Sequence, residues 1–448
     1  MKHCKKLAAI ASALLVLGFT ACSSDGDGGS GSNDSTQAGI PATSKPSGTT
    51  PKTPASTATA TTGPTGTTGA TGITTNGTPT TNRTPSPNGL VKPTYKTVYN
   101  VTADTYMAKI DEIIARLNAN DPSQPKEFEF KFSGTKPITW EQFFNGNGNF
   151  GDSFYAKMKS IKKNLSDVRV GMDFRLAKVD DDFITRDPVF QQGPYKSIVL
   201  PKKISDNLTL YGFGYFNGCD YLEYIKFPDN LSSFNEQQSC INISSPAVGV
   251  SLKFEIPASV KTIGLKAFSN CKSLDTVFCN EGLTEIGVNV FGASSIKKVV
   301  LNNGLETIAE QAFCDCKSLE SIELPSSLKS IKMNAFSCSG LKKIVIPENV
   351  TNLGEGIFNA CQNLETVEIH TPEIGDNVLS NTNSIVIGEK VVKIGKNNFG
   401  DTALSSVVFK NPEGWKCDGV AVDAAILKDP ADAATYLKTN KDKVFTRQ

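Results

Sequence analysis

Apolar residues return at a fixed interval through the second half of the chain. From about residue 195 to residue 410 the unit L-x-x-I-G-x-x-x-F-x-x-C-x-x-L-x-x-I-x-L-P recurs every 22 or 23 residues. A phenylalanine marks the same position in five successive units: Phe268, Phe291, Phe313, Phe336 and Phe358. No single unit of this kind can bury its own apolar face. The period therefore predicts a solenoid in which neighbouring units supply the core.

The pattern inside each unit predicts its local structure. Leu319, Ile322 and Leu324 precede Pro325, and the neighbouring units repeat this arrangement. Aliphatic residues that alternate and end at a residue unable to donate a ladder hydrogen bond predict one short strand per repeat. The fold class is thus an α/β-poor repeat solenoid, closed by an N-terminal α+β cap and a C-terminal helical cap.

Two kinds of small residue recur in the unit. Glycine follows the isoleucine of the second half-unit at three equivalent places: Gly264, Gly287 and Gly354. There we expect either a positive φ or a close approach of two backbones. Cysteine stands three residues after the phenylalanine, and Cys338 is matched to this position across a missing loop residue: Cys219, Cys271, Cys316, Cys338 and Cys361. A recurring solenoid side chain most often fills an inward pocket, so we expect buried thiols, with disulfides or a metal site as alternatives.

The repeated stretch LETIAEQAFCDCKSLESIELPSSLKSIKMNAFSCSGLKKIVIP resembles the BspA-type leucine-rich repeat of bacterial surface proteins. The resemblance implies a leucine-rich repeat β-solenoid over residues 195–410. It also implies a role in protein binding, namely adhesion to host, matrix or bacterial surface proteins. Two units depart from the pattern: one carries the insertion NEQQSCINISSPAVGV, and another has Leu379 in place of its phenylalanine.

The N-terminus predicts export. A lysine-containing start precedes an apolar run from Leu7 to Leu17, which has the layout of a signal peptide and is too short to span a membrane. The sequence that follows, Phe-Thr-Ala-Cys, resembles a lipobox whose cysteine becomes the lipidated N-terminus. The resemblance implies a lipoprotein signal peptide over residues 1–21 and a lipid anchor at Cys22. Ser23 beside it favours the outer membrane of the cell envelope, with the protein exposed at the surface.

Three further segments surround the repeats. Residues 22–94 consist almost entirely of Thr, Ser, Gly, Pro and Asn, which cannot bury enough apolar surface to offset ordering entropy, so they predict a disordered tether. Residues 95–194 combine helical and strand patterns without the repeat and predict an N-terminal cap, with an independent binding domain or an enzyme as alternatives. One predicted strand of this segment alternates with five apolar residues on one face: Val168, Val170, Met172, Phe174 and Leu176. Residues 411–448 predict a C-terminal cap that contains a helix.

Charge and candidate chemistry favour binding over catalysis. The chain has 46 basic and 45 acidic residues and no basic stripe, which does not favour a nucleic-acid partner. Once the leader is removed, His370 is the remaining histidine, and we expect it in an exposed turn. A Ser-His-Asp site would have to use this one residue, which has no companion motif nearby, and a metal site with two histidines is excluded. We therefore expect no cofactor and no enzyme activity. Asp180-Asp181-Asp182 and Gly212-x-Gly214 are weak calcium and phosphate motifs.

What remains is a surface that the repeat specifies regularly. The first position after each strand aliphatic alternates in charge: Asp275, Lys297, Glu320, Lys342 and Glu365. The outward positions of the strands form the candidate protein-binding site: Phe278, Lys298, Val300, Glu323, Lys343, Val345 and Glu368. We therefore predict a lipid-anchored envelope protein that presents a leucine-rich repeat surface to a protein ligand. A structural spacer or scaffold is the second possibility, and an enzyme in residues 95–194 the third.

Overall fold

The computed structural model describes residues 90–146, 150–180, 190–204, 208–210, 216–234, 246–379, 382–400 and 403–448. The predicted signal peptide, Cys22 and the tether as far as residue 89 lie outside these ranges. So do the Gly212-x-Gly214 motif, two residues of the Asp180-Asp181-Asp182 run and most of the predicted insertion.

Short strands dominate the described residues. In chain order the first strands are β1 (Thr97–Val101), β2 (Glu127–Ile138), β3 (Arg169–Val179), β4 (Tyr195–Val199), β5 (Leu208–Leu210), β6 (Tyr224–Lys226), β7 (Leu231–Phe234), β8 (Leu252–Glu255), β9 (Thr262–Ile263), β10 (Leu274–Phe278), β11 (Glu285–Ile286) and β12 (Lys298–Val300). The remaining strands are β13 (Thr307–Ile308), β14 (Ser330–Ile331), β15 (Lys343–Ile346), β16 (Asn352–Leu353), β17 (Thr366–Ile369), β18 (Glu373–Ile374), β19 (Ser384–Ile387), β20 (Lys393–Ile394), β21 (Ser406–Phe409), β22 (Trp415–Cys417), β23 (Val420–Ala421) and β24 (Phe445–Arg447).

Helices occur toward the two ends of the described chain. They are α1 (Tyr106–Asn118), α2 (Phe154–Asn164), α3 (Ala424–Lys428) and α4 (Pro430–Thr439), with a π-helical turn at Glu141–Asn145 and a 3-10 turn at Phe150–Asp152. The helices of the N-terminal segment lie between its strands, α1 between β1 and β2 and α2 between β2 and β3.

The strands form two opposed sides of a solenoid. On the first side, β1-β2-β3-β4-β6-β8-β10-β12 make an eight-stranded sheet and β15-β17-β19-β21 a four-stranded one. On the second side, β5, β7, β9, β11, β13, β14 and β16 make a seven-stranded sheet, and β18 and β20 continue in a five-stranded sheet with the C-terminal strands. Strand pairing is parallel until β24 joins β20 antiparallel. From β9 to β20 every second-side strand has two residues, so these repeats carry a second strand that the sequence did not predict. Among the described residues, the predicted first-side strand is missing in the repeat of Leu319, where Ser321 makes only an isolated bridge.

The recurring phenylalanines form one continuous column in the core. Phe268, Phe291, Phe313, Phe336 and Phe358 are each fully buried. Successive ring centroids are 5.7, 5.2, 5.3 and 6.1 Å apart, and the rings of Phe313 and Phe336 are within 3° of parallel. Aromatic pairs at such distances contribute about 0.5–1.5 kcal/mol beyond the area they bury. The predicted exception also holds, because Leu379 is buried in the unit that lacks its phenylalanine.

The recurring glycines are required by close packing. A Cβ added to Gly287 would lie 2.2 Å from the carbonyl oxygen of Ile263, and one added to Gly354 would lie 2.3 Å from the backbone nitrogen of Met333. Neither glycine has a positive φ. Of the two expectations for these positions, the close approach of neighbouring backbones is the correct one.

The cysteine column is buried as predicted, with one correction. Cys271, Cys316 and Cys361 are fully buried, but the residue that lies in register with them in the intervening units is serine: Ser294 and Ser339. The serine hydroxyls lie 3.8 Å from the Cys316 sulfur and 3.4 Å from the Cys361 sulfur. Cys338, which we matched to the column, is half-buried and left-handed, with φ 57°. The match was wrong because the missing loop residue comes after the column position, not before it.

Burial also controls the chemistry of the column. The Cys316 and Cys361 thiols donate to the carbonyl oxygens of Phe291 and Phe336, at 3.1 and 3.0 Å. Burial raises the pKa of Cys316 to about 12 and raises the pKa of Cys361 as well. Both residues are therefore protonated, unbridged thiols in the folded protein.

The N-terminal segment has the predicted elements in a continuous sheet with the repeats. Ile110, Ile113 and Leu117 bury one face of α1, and Met158 and Ile161 one face of α2. β3 pairs with β4, the strand that opens the repeats, and β2 lies on the other side of β3. In chain order, α1 and α2 each connect two strands of the first side, as the second-side strands do in the later repeats, which we call coils.

One predicted inward residue of this segment points outward. The alternation through β3 places Leu176 with Phe174 in the core, but Leu176 is 78% exposed. The pairing of β2 with β3 shifts by one residue between the pairs Lys131–Asp173 and Ser133–Leu176. A bulge of this kind inverts the faces that the following residues present, which explains the outward position of Leu176.

The C-terminal cap contains the predicted helix and three strands. Asp429 caps α4 by accepting hydrogen bonds from the backbone of Ala431 and Asp432, both at 2.9 Å, and Pro430 occupies the first turn. The helix packs against β21, where Leu437 is fully buried. The apolar edge of the last coil is therefore covered.

Buried thiols give the first testable prediction. We expect Cys316 and Cys361 to be alkylated slowly in the native protein and rapidly in urea, with half-buried Cys338 labelled before either, because the thiolate is the reactive form. The measurement is a mass-spectrometric map of alkylated cysteines over time.

The buried thiols also predict a pH dependence of stability. The ordinary pKa of a cysteine is 9.0. Between pH 9 and pH 12 unfolding therefore ionises Cys316, and stability falls as the pH rises. Cys338→Ser is the control and should leave the stability unchanged. Fast native labelling of Cys316 would contradict the buried column.

Candidate binding face

Alternation along the first-side strands separates inward from outward side chains. Val277 and Val299 are paired and buried in the core, whereas the residues on either side of them lie on the opposite face of the sheet, where Thr276 is nonetheless buried. Two outward rows result, which together we call the binding face. The first row contains Thr276, Lys298, Ser321, Lys343 and Thr366. The second row contains Phe278, Val300, Glu323, Val345 and Glu368.

All seven residues predicted for the site lie on this face. Lys298, Glu323 and Lys343 are exposed and Val345 is 39% exposed, while Phe278, Val300 and Glu368 are half-buried. Six of the seven lie in strands of the two first-side sheets. Glu323 lies between these sheets, where Ser321 makes a single parallel bridge to Lys343 and no described ladder joins β12 to it. The face is therefore interrupted at the unit of Glu323.

The predicted charge alternation flanks the binding face and is partly realised as ion pairs. Lys297 lies 2.7 Å from Asp275, and Lys342 lies 2.7 Å from Glu320. Such exposed pairs contribute little to stability, typically within about 1 kcal/mol each. Their effect on the face is to neutralise the flanking lysines. By contrast, no ion pair in the described part of the chain involves Lys298 or Lys343.

His370 is an unpredicted neighbour of the face. Its Nε2 atom lies 3.1 Å from Oε1 of Glu368, and the histidine side chain is 39% exposed. The sequence indicated a turn after the strand but gave no sign of this contact.

Among the described residues no group of three or more His, Cys, Asp or Glu side chains could hold a metal ion.

The N-terminal end of the first side is covered by the chain itself. Residues 90–96, which we call the strap, lie across the outward face of β2, β3 and β4. Lys92 forms buried ion pairs with Glu129 and Asp173. The Tyr95 hydroxyl lies 2.9 Å from that of Ser197, and its ring passes so close to Gly171 that a Cβ there would lie 2.6 Å from it. The strap therefore covers the first coils of this side. It also corrects the predicted boundary of the tether, because residues 90–94 were assigned to it and Lys92 is buried against the sheet.

The ion cluster beneath the strap has a strong electrostatic signature. Burial raises the pKa of Asp173, but hydrogen bonds from Arg175 and Lys92 outweigh it and lower the pKa to about 2. The ordinary value is 3.8. Because the folded pKa is the lower one, this cluster stabilises the fold above about pH 4, and the contribution is lost as the pH falls toward 2.

Asp180, the described member of the Asp180-Asp181-Asp182 run, has a structural role. Its carboxylate accepts hydrogen bonds from the backbone nitrogen of Trp140 at 3.0 and 3.2 Å. Trp140 precedes the π-helical turn, so the carboxylate caps the start of that turn.

Cys22 lies outside the described residues, and among those residues there is no helix long and apolar enough to cross a membrane.

Stacked parallel coils, a phenylalanine column and a strand face of variable side chains define a leucine-rich repeat scaffold. The family model for the BspA type leucine rich repeat region matches residues 186–291, 247–365 and 318–413, in six copies. These stretches overlap and span half of the chain, so the chain belongs to the BspA-type leucine-rich repeat family. Membership indicates a protein-interaction role for the repeats.

Solved structures of bacterial leucine-rich repeat proteins resemble the chain in part. A leucine-rich repeat protein of T. pallidum is 26% identical over 35% of this chain and 78% of its own, with a TM-score of 0.29. One from Bacteroides ovatus is 23% identical over 48% and 73%, with a TM-score of 0.29. The pneumococcal vaccine antigen PcpA is 19% identical over 70% and 77%, with a TM-score of 0.30. No curated protein matches the chain.

The strap gives the second testable prediction. Lys92→Ala leaves Glu129 without its buried partner, although Asp173 keeps Arg175, so we expect a loss of about 3 kcal/mol in the free energy of unfolding. Urea titration measures this loss. The variant should also lose less stability than the wild type between pH 4 and pH 2, because the pKa of its Asp173 is less depressed.

The matched control for the strap is Lys196→Ala. It breaks the half-exposed pair between Lys196 and Glu127, which are 3.0 Å apart, and should cost less than about 1 kcal/mol. Equal losses in the two lysine variants would show that the strap does not stabilise the fold.

Proposed function

We propose that this protein is a lipid-anchored protein of the bacterial cell surface that binds a protein ligand through the binding face and mediates adhesion. The ligand is a host, matrix or bacterial surface protein. On this proposal the chain acts by binding and not by catalysis, with the solenoid carried away from the membrane by residues 22–89.

One observation carries the proposal. Lys298 and Val300 lie in β12, and the same two residue types recur at Lys343 and Val345 in β15, all on the outward side. The two lysines have no ion pair among the described residues, although the flanking Lys297 and Lys342 do. The face thus combines lysine charges that have no ion-pair partner among the described residues with partly exposed apolar side chains. Protein interfaces generally have this composition, with an apolar centre and a polar rim.

Core packing does not require these outward side chains. Val299 and Ile344, their inward neighbours, are buried and hold the coil in place. Outward residues can therefore vary in sequence without disturbing the stack, which allows a repeat scaffold to specify a ligand. The strap covers β2–β4, and the seven predicted residues lie farther along the solenoid, from β10 to β17, so the proposed contact lies on those coils.

The third prediction tests the face directly. A quadruple variant with Lys298→Glu, Lys343→Glu, Val300→Ser and Val345→Ser should bind protein ligands at least about 30-fold more weakly, since a contact centre loses about 2 kcal/mol or more per key residue. The measurement is binding of the purified protein to a panel of immobilised matrix and bacterial surface proteins. Folding should change by less than about 0.5 kcal/mol per substitution.

The control carries the same types of substitution away from the face: Lys261→Glu, Lys441→Glu, Val288→Ser and Val392→Ser. These four side chains are exposed and lie outside both outward rows. The control should bind as the wild type does. Full binding by the face variant, with binding lost when residues 95–194 are replaced, would move the site to the N-terminal segment.

The fourth prediction concerns the anchor. Cys22→Ala should shift the protein from the membrane fraction to the soluble fraction, because the lipid would be attached to the Cys22 sulfur. Metabolic labelling with a fatty acid, followed by fractionation, measures both events. Wild-type protein that incorporates no labelled fatty acid would contradict lipid anchoring. Ser23→Ala is the control and should still be labelled.

A further inference from the structure

A second row of polar side chains runs along the turns, away from the binding face. The residue two positions before each column phenylalanine, or its replacement, is left-handed. The first of these is Lys266, with φ 58°, and we call the series that follows it, from Asn289 to Asn397, the amide row. Its φ values are 54° at Asn289, 56° at Gln311, 54° at Asn334, 60° at Gly356, 56° at Asn377 and 58° at Asn397. Asparagine and glycine tolerate this conformation better than other residues, so the backbone alone accounts for much of the row.

Hydrogen bonds between coils hold the amide row in register. Each of these bonds runs from a backbone nitrogen to a backbone carbonyl oxygen. Asn334 donates to Glu355 at 3.0 Å, Gly356 to Asn377 at 2.8 Å, and Asn377 to Lys396 at 2.9 Å. Neighbouring members of the row consequently project side by side, about one strand spacing of 4.8 Å apart. Four coils therefore present their row side chains to one stretch of surface.

Gly356 interrupts the row and leaves a groove. Because it has no side chain, a space of about 310 Å³ opens between the adjacent coils. Its lining consists of Met333, Asn334, Glu355, Asn359, Asn377 and Asn397 around Gly356. This volume lies at the lower end of the range for small-molecule sites, about 300–1,000 Å³.

The groove has more polar groups than the backbone requires. Asn359 is not left-handed, and Glu355 is an exposed carboxylate, so neither is explained by the turn conformation. In the part of the chain that the structure describes, none of the four asparagine side chains has a hydrogen-bond partner, and Glu355 has no ion pair. The groove thus presents unpaired donors and acceptors close together.

This combination of groups fits hydroxylated, uncharged ligands. Each carboxamide offers two donors and one acceptor oxygen, and the Glu355 carboxylate accepts only. Neighbouring hydroxyls on a sugar ring each donate and accept, so they can satisfy both kinds of group at once. No Lys, Arg or His lines the groove, which disfavours phosphates and carboxylates. Met333 offers an apolar surface for the C–H face of a ring.

We propose that this groove binds a hexose residue of a neutral carbohydrate, with its hydroxyls held by the side chains of Asn359, Asn377, Asn397 and Glu355. The site lies on the turns and is separate from the protein-binding face. An extended peptide is a poorer fit, because one apolar residue, Met333, lines a space of limited length.

The test uses the full-length purified protein and an array of neutral oligosaccharides containing glucose, galactose or mannose. Gly356→Asn should abolish binding, because it restores the amide row and fills the groove. Asparagine already occupies the equivalent left-handed position in the coils on either side. The contact that its Cβ makes at 2.7 Å is with Oδ1 of Asn334, the end of a side chain that can rotate.

A second variant keeps the test decisive if Gly356→Asn does not fold. Asn377→Gly with Asn397→Gly retains residues that adopt positive φ and removes two amides, so we expect at least a tenfold loss of affinity. The control is Asn289→Gly, the same change in the same row outside the groove, which should bind as the wild type does. The quadruple variant of the binding face should also bind carbohydrate normally.

The outcomes separate clearly. Binding of at least one neutral oligosaccharide that is lost in the groove variants and kept in the Asn289→Gly control supports the proposal. It is overturned if the wild type binds no oligosaccharide on the array, if binding survives both groove variants, or if an unglycosylated peptide array is bound through the groove instead.

Discussion

The phenylalanine column is the interaction on which the rest of the structure depends. The rings of Phe291, Phe313 and Phe336 are covered on both sides by the rings of adjacent coils, so a coil removed from the stack would expose its largest apolar side chain. This explains why the chain needs terminal cover. Helices and long strands supply it at the N-terminal end, and α4 with its neighbouring strands supplies it at the C-terminal end. The binding face and the groove at Gly356 both result from this stacking, because it holds equivalent residues of successive coils side by side.

Much of the fold could be predicted because it is encoded by spacing. The positions of Phe268 to Phe358 fix the coil, and the aliphatic alternation fixes which strand residues point inward. The failures are local and share one cause, since single-residue shifts are poorly determined by pattern. Cys338 was placed one position away from the true column residue, Ser339. Leu176 was placed inside because the bulge in β3 leaves no sign in the alternation.

The candidate face was predicted more completely than its surroundings. Its seven residues follow from strand periodicity, and the structure places all of them on the outward side. The strap could not be foreseen, because Lys92 and Tyr95 lie in a polar segment whose contacts with Asp173 and Ser197 are distant in sequence. The groove at Gly356 was equally hidden. A glycine in a turn normally signals only a backbone requirement, and here its effect arises from the asparagines of neighbouring coils.

The alternation of thiols and hydroxyls in the column limits how the number of coils can change during evolution. Coils of 22 and 23 residues alternate, and the cysteine and serine positions alternate with them. The smallest unit that repeats both the length and the column residue is therefore a pair of coils with 45 residues. Duplication or loss of one pair would preserve the alternation of thiol and hydroxyl across the junction. Insertion of a single coil would instead place two sulfurs or two hydroxyls against each other. Genetic recombination within the repeats should therefore change the number of coils in steps of two.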